Sequence, residues 1–148
     1  MDKLFLLDAY AIIFRSYYAF INRPTINSKG LNTSAILGFC NTLKEITDKE
    51  QPLYLGVAFD EGKTFRHEAF PPYKAQRQAT PEDIKLAVPI IKEILNAMHI
   101  PILVSPGFEA DDVIGTIALQ AGKAGVETFM LTPDKDYGQL IRENVYMY

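Results

Sequence analysis

The stretch "IPILVSPGFEADDVIGTIALQAGKAGVETFMLT", residues 100–132, runs from one β-rich segment to another across a helical pattern. IPILV (100–104) and VETFMLT (126–132) are short, branched and apolar, as buried strands are. Between them Ala110, Val113, Ile114, Ile117, Ala118 and Ala121 recur at i, i+3, i+4, i+7 spacing, the buried stripe of a helix, and Gly122 and Gly125 suit its end. A connection of this length implies parallel strands, because antiparallel neighbours need only a tight turn. The helix opens on Glu109, Asp111 and Asp112 within one turn. Acids there are common for stability alone, since a helix N-terminus carries partial positive charge and free N–H groups. Three carboxylates so close also repel one another, and a bound cation would relieve that repulsion. Taken alone, the stretch favours the first reading.

The same rhythm extends outward. LFLL (4–7) and YLGVAF (54–59) are further strand candidates, and VYMY (145–148) is where a fifth strand starts. NTSAILGFCNTLKEIT (32–47) places Ile36, Leu37, Phe39, Cys40, Leu43 and Ile46 at helical spacing. TPEDIKLAVPIIKEILNAM (80–98) has Thr80 as N-cap, Pro81 at the first helical position and Asp83 three residues after the cap, and Pro89 should kink or divide it. There are no repeats or low-complexity tracts. The expected fold class is α/β, a mainly parallel central sheet flanked by helices. The chain's 148 residues suffice for one domain, 1–148, and 48% hydrophobic against 22% charged residues excludes disorder. Cys40 is the single cysteine and reads as core; with no intramolecular disulfide possible, no signal-peptide pattern and no apolar run of about 18 residues, a reducing cytoplasm is expected and a membrane is not. A net charge of -3 argues against a uniformly basic nucleic-acid binder but permits a local basic patch.

Each strand candidate is followed by acid. Asp8 follows LFLL, Asp60 follows YLGVAF, Glu109, Asp111 and Asp112 follow IPILV, and Asp134 and Asp136 follow VETFMLT. In a parallel sheet the carboxyl ends share one edge, where open α/β folds bind ligands. Solvated acids would not favour that end of every strand, so the pattern points to bound cations. Carboxylate oxygens suit hard ions, Mg²⁺ with Mn²⁺ as substitute. His67, His99 and Cys40 offer no tetrahedral zinc set, and neither a nucleophile elbow nor a phosphate-binding GxxxxGK[ST] loop is present. What remains is metal-assisted hydrolysis of a phosphodiester, with two ions activating water and stabilising the leaving oxygen.

An acidic site repels a polyanion unless basic groups bring it in. EGKTFRHEAFPPYKAQRQA (61–79) interleaves Lys63, Arg66, Lys74 and Arg77 with Phe65, Phe70 and Tyr73, which can neutralise phosphates and stack on unpaired bases; its bland alternative is a solvated loop. Just after Asp8 the mixture recurs. There Arg15 is a further candidate contact, Phe14 and Phe20 read as core, and Tyr10, Tyr17 and Tyr18 remain as exposed aromatics.

LFLLDAYAIIFRSYYAF, GVAFDEGKTFRHEAFPPYKAQR, GFEADDVIGTIA and TPDKDYGQLI together resemble the N-terminal 5'-nuclease domain of bacterial DNA polymerase I, a relative of flap endonucleases with a PIN-like α/β core. The resemblance runs over essentially the whole chain in motif order. It implies that Asp8, Asp60, Glu109, Asp111, Asp112, Asp134 and Asp136 hold or support two metal ions. It also implies that Lys74 and Arg77 approach the scissile phosphate, with Tyr73 and Arg66 nearby. The substrate it implies is nicked or 5'-flapped duplex DNA, or an RNA primer on DNA, in a bacterial cytoplasm. Ala9 stands where the family usually has Gly, and Pro133 where it often has Gly or Ala. Family members continue into a helix-three-turn-helix segment that supplies further metal-binding acids, so this chain is expected to be a fragment, weakly active and linked in the full protein to polymerase domains. A non-catalytic structural module of a polymerase and a small PIN-type ribonuclease remain as alternatives, with YKAQR speaking for the flap-nuclease branch.

Overall fold

A computed structural model describes residues 2–60, 80–132 and 135–148, and for residues 135–137 the backbone alone. Five strands, β1 (Lys3–Asp8), β2 (Tyr54–Ala58), β3 (Ile102–Leu103), β4 (Glu127–Leu131) and β5 (Val145–Met147), form one sheet in the order β3-β2-β1-β4-β5. Every pairing is parallel. Among the described residues four α-helices accompany them: α1 (Ala9–Ala19), α2 (Ser34–Lys49), α3 (Glu82–Ala97) and α4 (Ala110–Lys123), with a 3₁₀ segment at Lys135–Leu140.

Side-chain alternation divides the core in two. Phe5 and Leu7 of β1 face one side, where they are buried with Ile12 and Ile13 of α1, Phe39 and Leu43 of α2, and Ile84 and Ile91 of α3. Leu6, on the opposite face, packs with Ala110, Ile114 and Ala118 of α4, Met130 and Val145. The sheet is therefore covered by α1, α2 and α3 on one face and by α4 on the other, the layering that makes parallel strands continuously apolar. α2 lies close on α1 at Gly38, where an added Cβ would sit 2.4 Å from Ser16 Cβ.

Several boundaries differ from expectation. The third strand is two residues rather than five; Val104 pairs with nothing described, and the chain turns at Ser105, with the Phe108 N–H donating to the Ser105 carbonyl at 3.0 Å. α3 starts one residue later than expected: Pro81 takes the capping position and its carbonyl accepts from the Ile84 and Lys85 N–H groups at 3.1 Å, so Thr80 makes no cap. Nor does Pro89 divide that helix, which runs unbroken through it. Pro89 is on the exposed side, where a carbonyl deprived of its N–H partner can turn to water. Gly125 follows the end of α4, but Gly122 lies inside it, where a Cβ would meet Val145 Cγ2 at 2.9 Å.

The strand order places the site. From β1 the chain moves outward through β2 to β3, then crosses back over β1 to β4 and on to β5. β1 and β4 are neighbours whose connections leave in opposite directions, and a crevice opens at the carboxyl ends of such a pair. Asp8 ends β1 at that point, and Thr132 follows β4.

Candidate metal centre

Capping explains part of the acidic helix start. Glu109 takes extended backbone as the N-cap of α4, and Asp112 Oδ2 accepts from the Glu109 N–H at 3.0 Å in a capping-box arrangement. Asp60, two residues past β2, reaches the same helix end: its Oδ1 accepts from the Ala110 N–H at 2.5 Å. Two carboxylates thus satisfy donors that α4 leaves open, in the field of its positive end.

Capping does not account for the rest. Glu109, Asp111 and Asp112 each direct a carboxylate oxygen to within 4.8 Å of the others, and Glu109 is only 4% exposed. A cap uses one oxygen, whereas three converging carboxylates with one drawn out of water could hold a cation. All the donors are carboxylate oxygens, which fits a hard divalent ion; no nitrogen or sulfur ligand joins the group among the described residues.

Asp8 supports the same edge from β1. It is 9% exposed, caps α1 by accepting from the Ala11 N–H at 3.3 Å, and pairs in register with Ala58, two residues before Asp60. Tyr10, on the first turn of α1, is half-buried, with its ring edge-on to Phe59 at 5.8 Å. Burial first, and then the negative charge of Asp60, hold its phenol above the ordinary range. The sequence offers Tyr10 only as one aromatic among several. The Nζ of Lys92 on α3 lies 4.9 Å over the ring of Phe59, the residue before Asp60. A lysine on the polar side of an amphipathic helix carries no signal of such a contact.

Among the aromatic candidates on α1, the structure corrects two. Tyr17 is not exposed: at 9% exposure its hydroxyl donates to Asp83 Oδ2 at 3.1 Å, tying α1 to the first turn of α3. Its spacing from Ile13 turns it inward with the core stripe. Phe20 is not core: it follows the end of α1 and is 43% exposed. Phe14 is half-buried against the core, Tyr18 is exposed beside it, and Arg15 is exposed on the same helix. Cys40 is half-buried, and burial raises its thiol pKa, which suits an inert side chain. Lys63, Arg66, Tyr73, Lys74, Arg77 and Asp134 lie outside the described residues, as does the side chain of Asp136.

Residues 3–148 match the family of 5'-3' exonuclease N-terminal, resolvase-like domains. The 5'-3' exonuclease of Aquifex aeolicus is 42% identical over 146 residues, covering 98% of this chain and 50% of that protein. DNA polymerase I of Treponema pallidum is 41% identical over 143 residues, 96% of this chain and 14% of that one. The chain thus spans half or less of the length of these relatives. Among solved structures, the bacteriophage T5 flap endonuclease crystallised with DNA and metal ions aligns with a TM-score of 0.76 at 20% identity, over 99% of this chain and 54% of that one. The catalytic core of Rad2 with DNA aligns at 0.60 and 20% identity, over 99% and 42%. These two establish likeness of fold.

Proposed function

The chain belongs to the family of 5'-3' exonuclease N-terminal, resolvase-like domains, and from that premise we propose that residues 1–148 act as one PIN-like nuclease core that hydrolyses phosphodiester bonds at 5' ends of DNA, with Mg²⁺ as natural ion and Mn²⁺ as substitute. The observation that carries the proposal is the convergence of Glu109, Asp111 and Asp112 within 4.8 Å at the carboxyl edge of the sheet. Flaps, nicks and primer ends are the proposed substrates, and linkage to polymerase domains, as the DNA polymerase I relatives suggest, belongs to the same reading.

Glu109, Asp111 and Asp112 would hold the metal, with Asp8 and Asp60 from the adjoining strand ends and Asp134 and Asp136 after β4 as the remaining ligands of a pair. Two ions in such a shell supply water activation and stabilisation of the leaving oxygen. The protein's own part is to hold that shell still. Asp60 is fixed by the Ala110 N–H, Asp112 by the Glu109 N–H and Asp8 by the Ala11 N–H, so the oxygens are oriented before any ion arrives. Lys74 and Arg77 are proposed to neutralise charge developing on the scissile phosphate. Lys63, Arg66 and Arg15 would guide the strand and Tyr73 stack on it. Tyr17, its hydroxyl engaged by Asp83, is better suited to support α1 than to touch DNA.

The test is release of labelled product from a 5'-flap DNA at low salt with Mg²⁺, Mn²⁺ or chelator. Cleavage that needs the ion and is abolished in Asp111→Asn is the expected result. No cleavage in either metal, or cleavage indifferent to Asp111→Asn, would remove the basis of this reading.

A further inference from the structure

β2 ends at Ala58, so Asp60 is carried beyond the strand and its place depends on what holds its neighbour, Phe59. Resting on the nuclease reading above, we infer that Lys92 is a positioning residue for the metal centre: its ammonium, seated over the ring of Phe59, holds the end of β2 so that Asp60 meets the start of α4.

Asp60 is held at two ends. Its carboxylate is fixed by the Ala110 N–H, which donates to Oδ1 at 2.5 Å between Glu109 and Asp111 in the sequence. Its backbone is fixed through Phe59, which is fully buried and whose N–H donates to the Leu103 carbonyl at 3.0 Å. The Phe59 ring meets Tyr10 edge-on, with centroids 5.8 Å apart, and carries Lys92 Nζ 4.9 Å from its centroid. Tyr10 belongs to the turn of α1 that Asp8 caps. One ring therefore joins the element that holds Asp8 to the residue that carries Asp60, and Lys92 secures that ring from α3.

A cation within about 6 Å of an aromatic centroid is drawn to the negative face of the ring, more strongly where water is partly excluded. Lys92 is half-buried. Val88, Ile91 and Leu95, its neighbours on α3, lie in the same buried cluster as Phe59, so a packed helix delivers the ammonium. Charge acting through space would have the opposite effect on the site. A lysine beside a cation site repels the ion, so removing that repulsion tightens metal binding. Removing a support of the ligand shell loosens it. The sign of the change separates the two roles.

The experiment measures Mn²⁺ affinity by calorimetry, with melting curves in chelator to establish that each variant folds. Lys92→Met keeps the apolar stem without the charge and should weaken Mn²⁺ binding on the order of tenfold, the usual cost of losing an outer partner of a metal ligand. Lys92→Arg keeps a cation over the ring and should bind as wild type does. In a Phe59→Leu background, which has no ring, Lys92→Met should cost nothing further. Should Phe59→Leu fail to fold, the contrast between Met and Arg decides by itself. Suppose instead that Lys92→Met binds Mn²⁺ as tightly as wild type or more tightly, that Lys92→Arg fails to rescue, or that the loss is as large without the ring. Any of these, with Asp111→Asn still losing the ion, overturns the positioning role and leaves the nuclease reading in place. A lowered melting temperature with unchanged affinity would also overturn it, making the contact one of stability alone. If wild type takes up no Mn²⁺, the metal centre itself fails and the role of Lys92 goes with it.

Discussion

Asp112 serves two ends at once. One oxygen satisfies the Glu109 N–H at the start of α4, while the carboxylate also belongs to the group that could hold a cation. Asp111 makes the cleaner probe, because it stands outside the capping box. A ligand that binds only the folded state stabilises it by about 2.7 kcal/mol at a hundredfold excess over its dissociation constant. Saturating Mn²⁺ should therefore raise the melting temperature of wild type, and Asp111→Asn should lose most of that rise; equal shifts in both proteins would place the metal elsewhere. Tyr17 gives a second prediction. Tyr17→Phe loses the bond to Asp83 and should cost about 1 kcal/mol in urea unfolding, with strand affinity unchanged. Burial, then the hydrogen bond and charge of Asp83, and then Tyr18 raise its phenol above the ordinary 10.0. The folded state thus holds this proton more tightly than the unfolded chain. Its stabilising effect is complete below pH 10 and falls away as pH rises from there toward the native value. The gap between wild type and Tyr17→Phe should accordingly narrow on the alkaline side. A gap that widened would reverse the assignment. At this scale the positions of Asp8, Asp60, Glu109, Asp111 and Asp112 at the strand ends were legible because they follow apolar runs, whereas the burial of Tyr17 and the exposure of Phe20 depended on where α1 ends, which composition does not reveal.

Elements were legible where periodicity was long. α2, α3 and α4 each carry an apolar stripe of several turns, and all four long connections between strands demanded parallel pairing, which is what forms. Legibility failed at the ends. β3 keeps only Ile102–Leu103 because it is an edge strand with a single neighbour, so the turn at Ser105–Gly107 meets little opposition. Pro89 reads as a breaker by local rules, but an exposed position in an otherwise well-packed helix lets the chain run through. Close approach of helices is a tertiary fact, and Gly38 is its clearest case. Gly→Ala in a helix normally gains about 1 kcal/mol. Here the new Cβ would stand 2.4 Å from Ser16 Cβ, an atom fixed to the α1 backbone. Forced repacking costs about 1–3 kcal/mol and should outweigh the propensity gain. Gly38→Ala is expected to lower the urea midpoint, and Gly38→Ala combined with Ser16→Gly to recover much of the loss. A stabilised Gly38→Ala would mean that α1 and α2 are farther apart than described.

For the molecule as a whole, charge and topology pull in different directions. The switch point between β1 and β4 assembles acid at one edge, and a net charge of -3 offers a polyanion no general attraction. No helix among the described residues is long and apolar enough to cross a membrane. On the proposed nuclease reading, DNA binding would rest on a few basic residues, of which Lys63, Arg66, Lys74 and Arg77 form the densest group in the sequence. Counterion release makes such binding measurable by salt. Each phosphate neutralised on a single strand contributes a slope of about -0.7 to log K against log salt, so four contacts imply about -2.8. Lys63→Ala should reduce the steepness by about 0.7 and weaken affinity with little change in single-turnover cleavage, as expected of a group that binds ground and transition states alike. Lys74→Ala should change the slope similarly but lower the cleavage rate far more than the affinity, because a charge directed at the reacting phosphate matters most as that phosphate becomes more negative. Measurements in Ca²⁺ for affinity and Mg²⁺ for rate separate the two quantities. If both variants lose rate and affinity in the same proportion, the 61–79 segment is a uniform electrostatic guide, and the catalytic assignment of Lys74 has to be withdrawn.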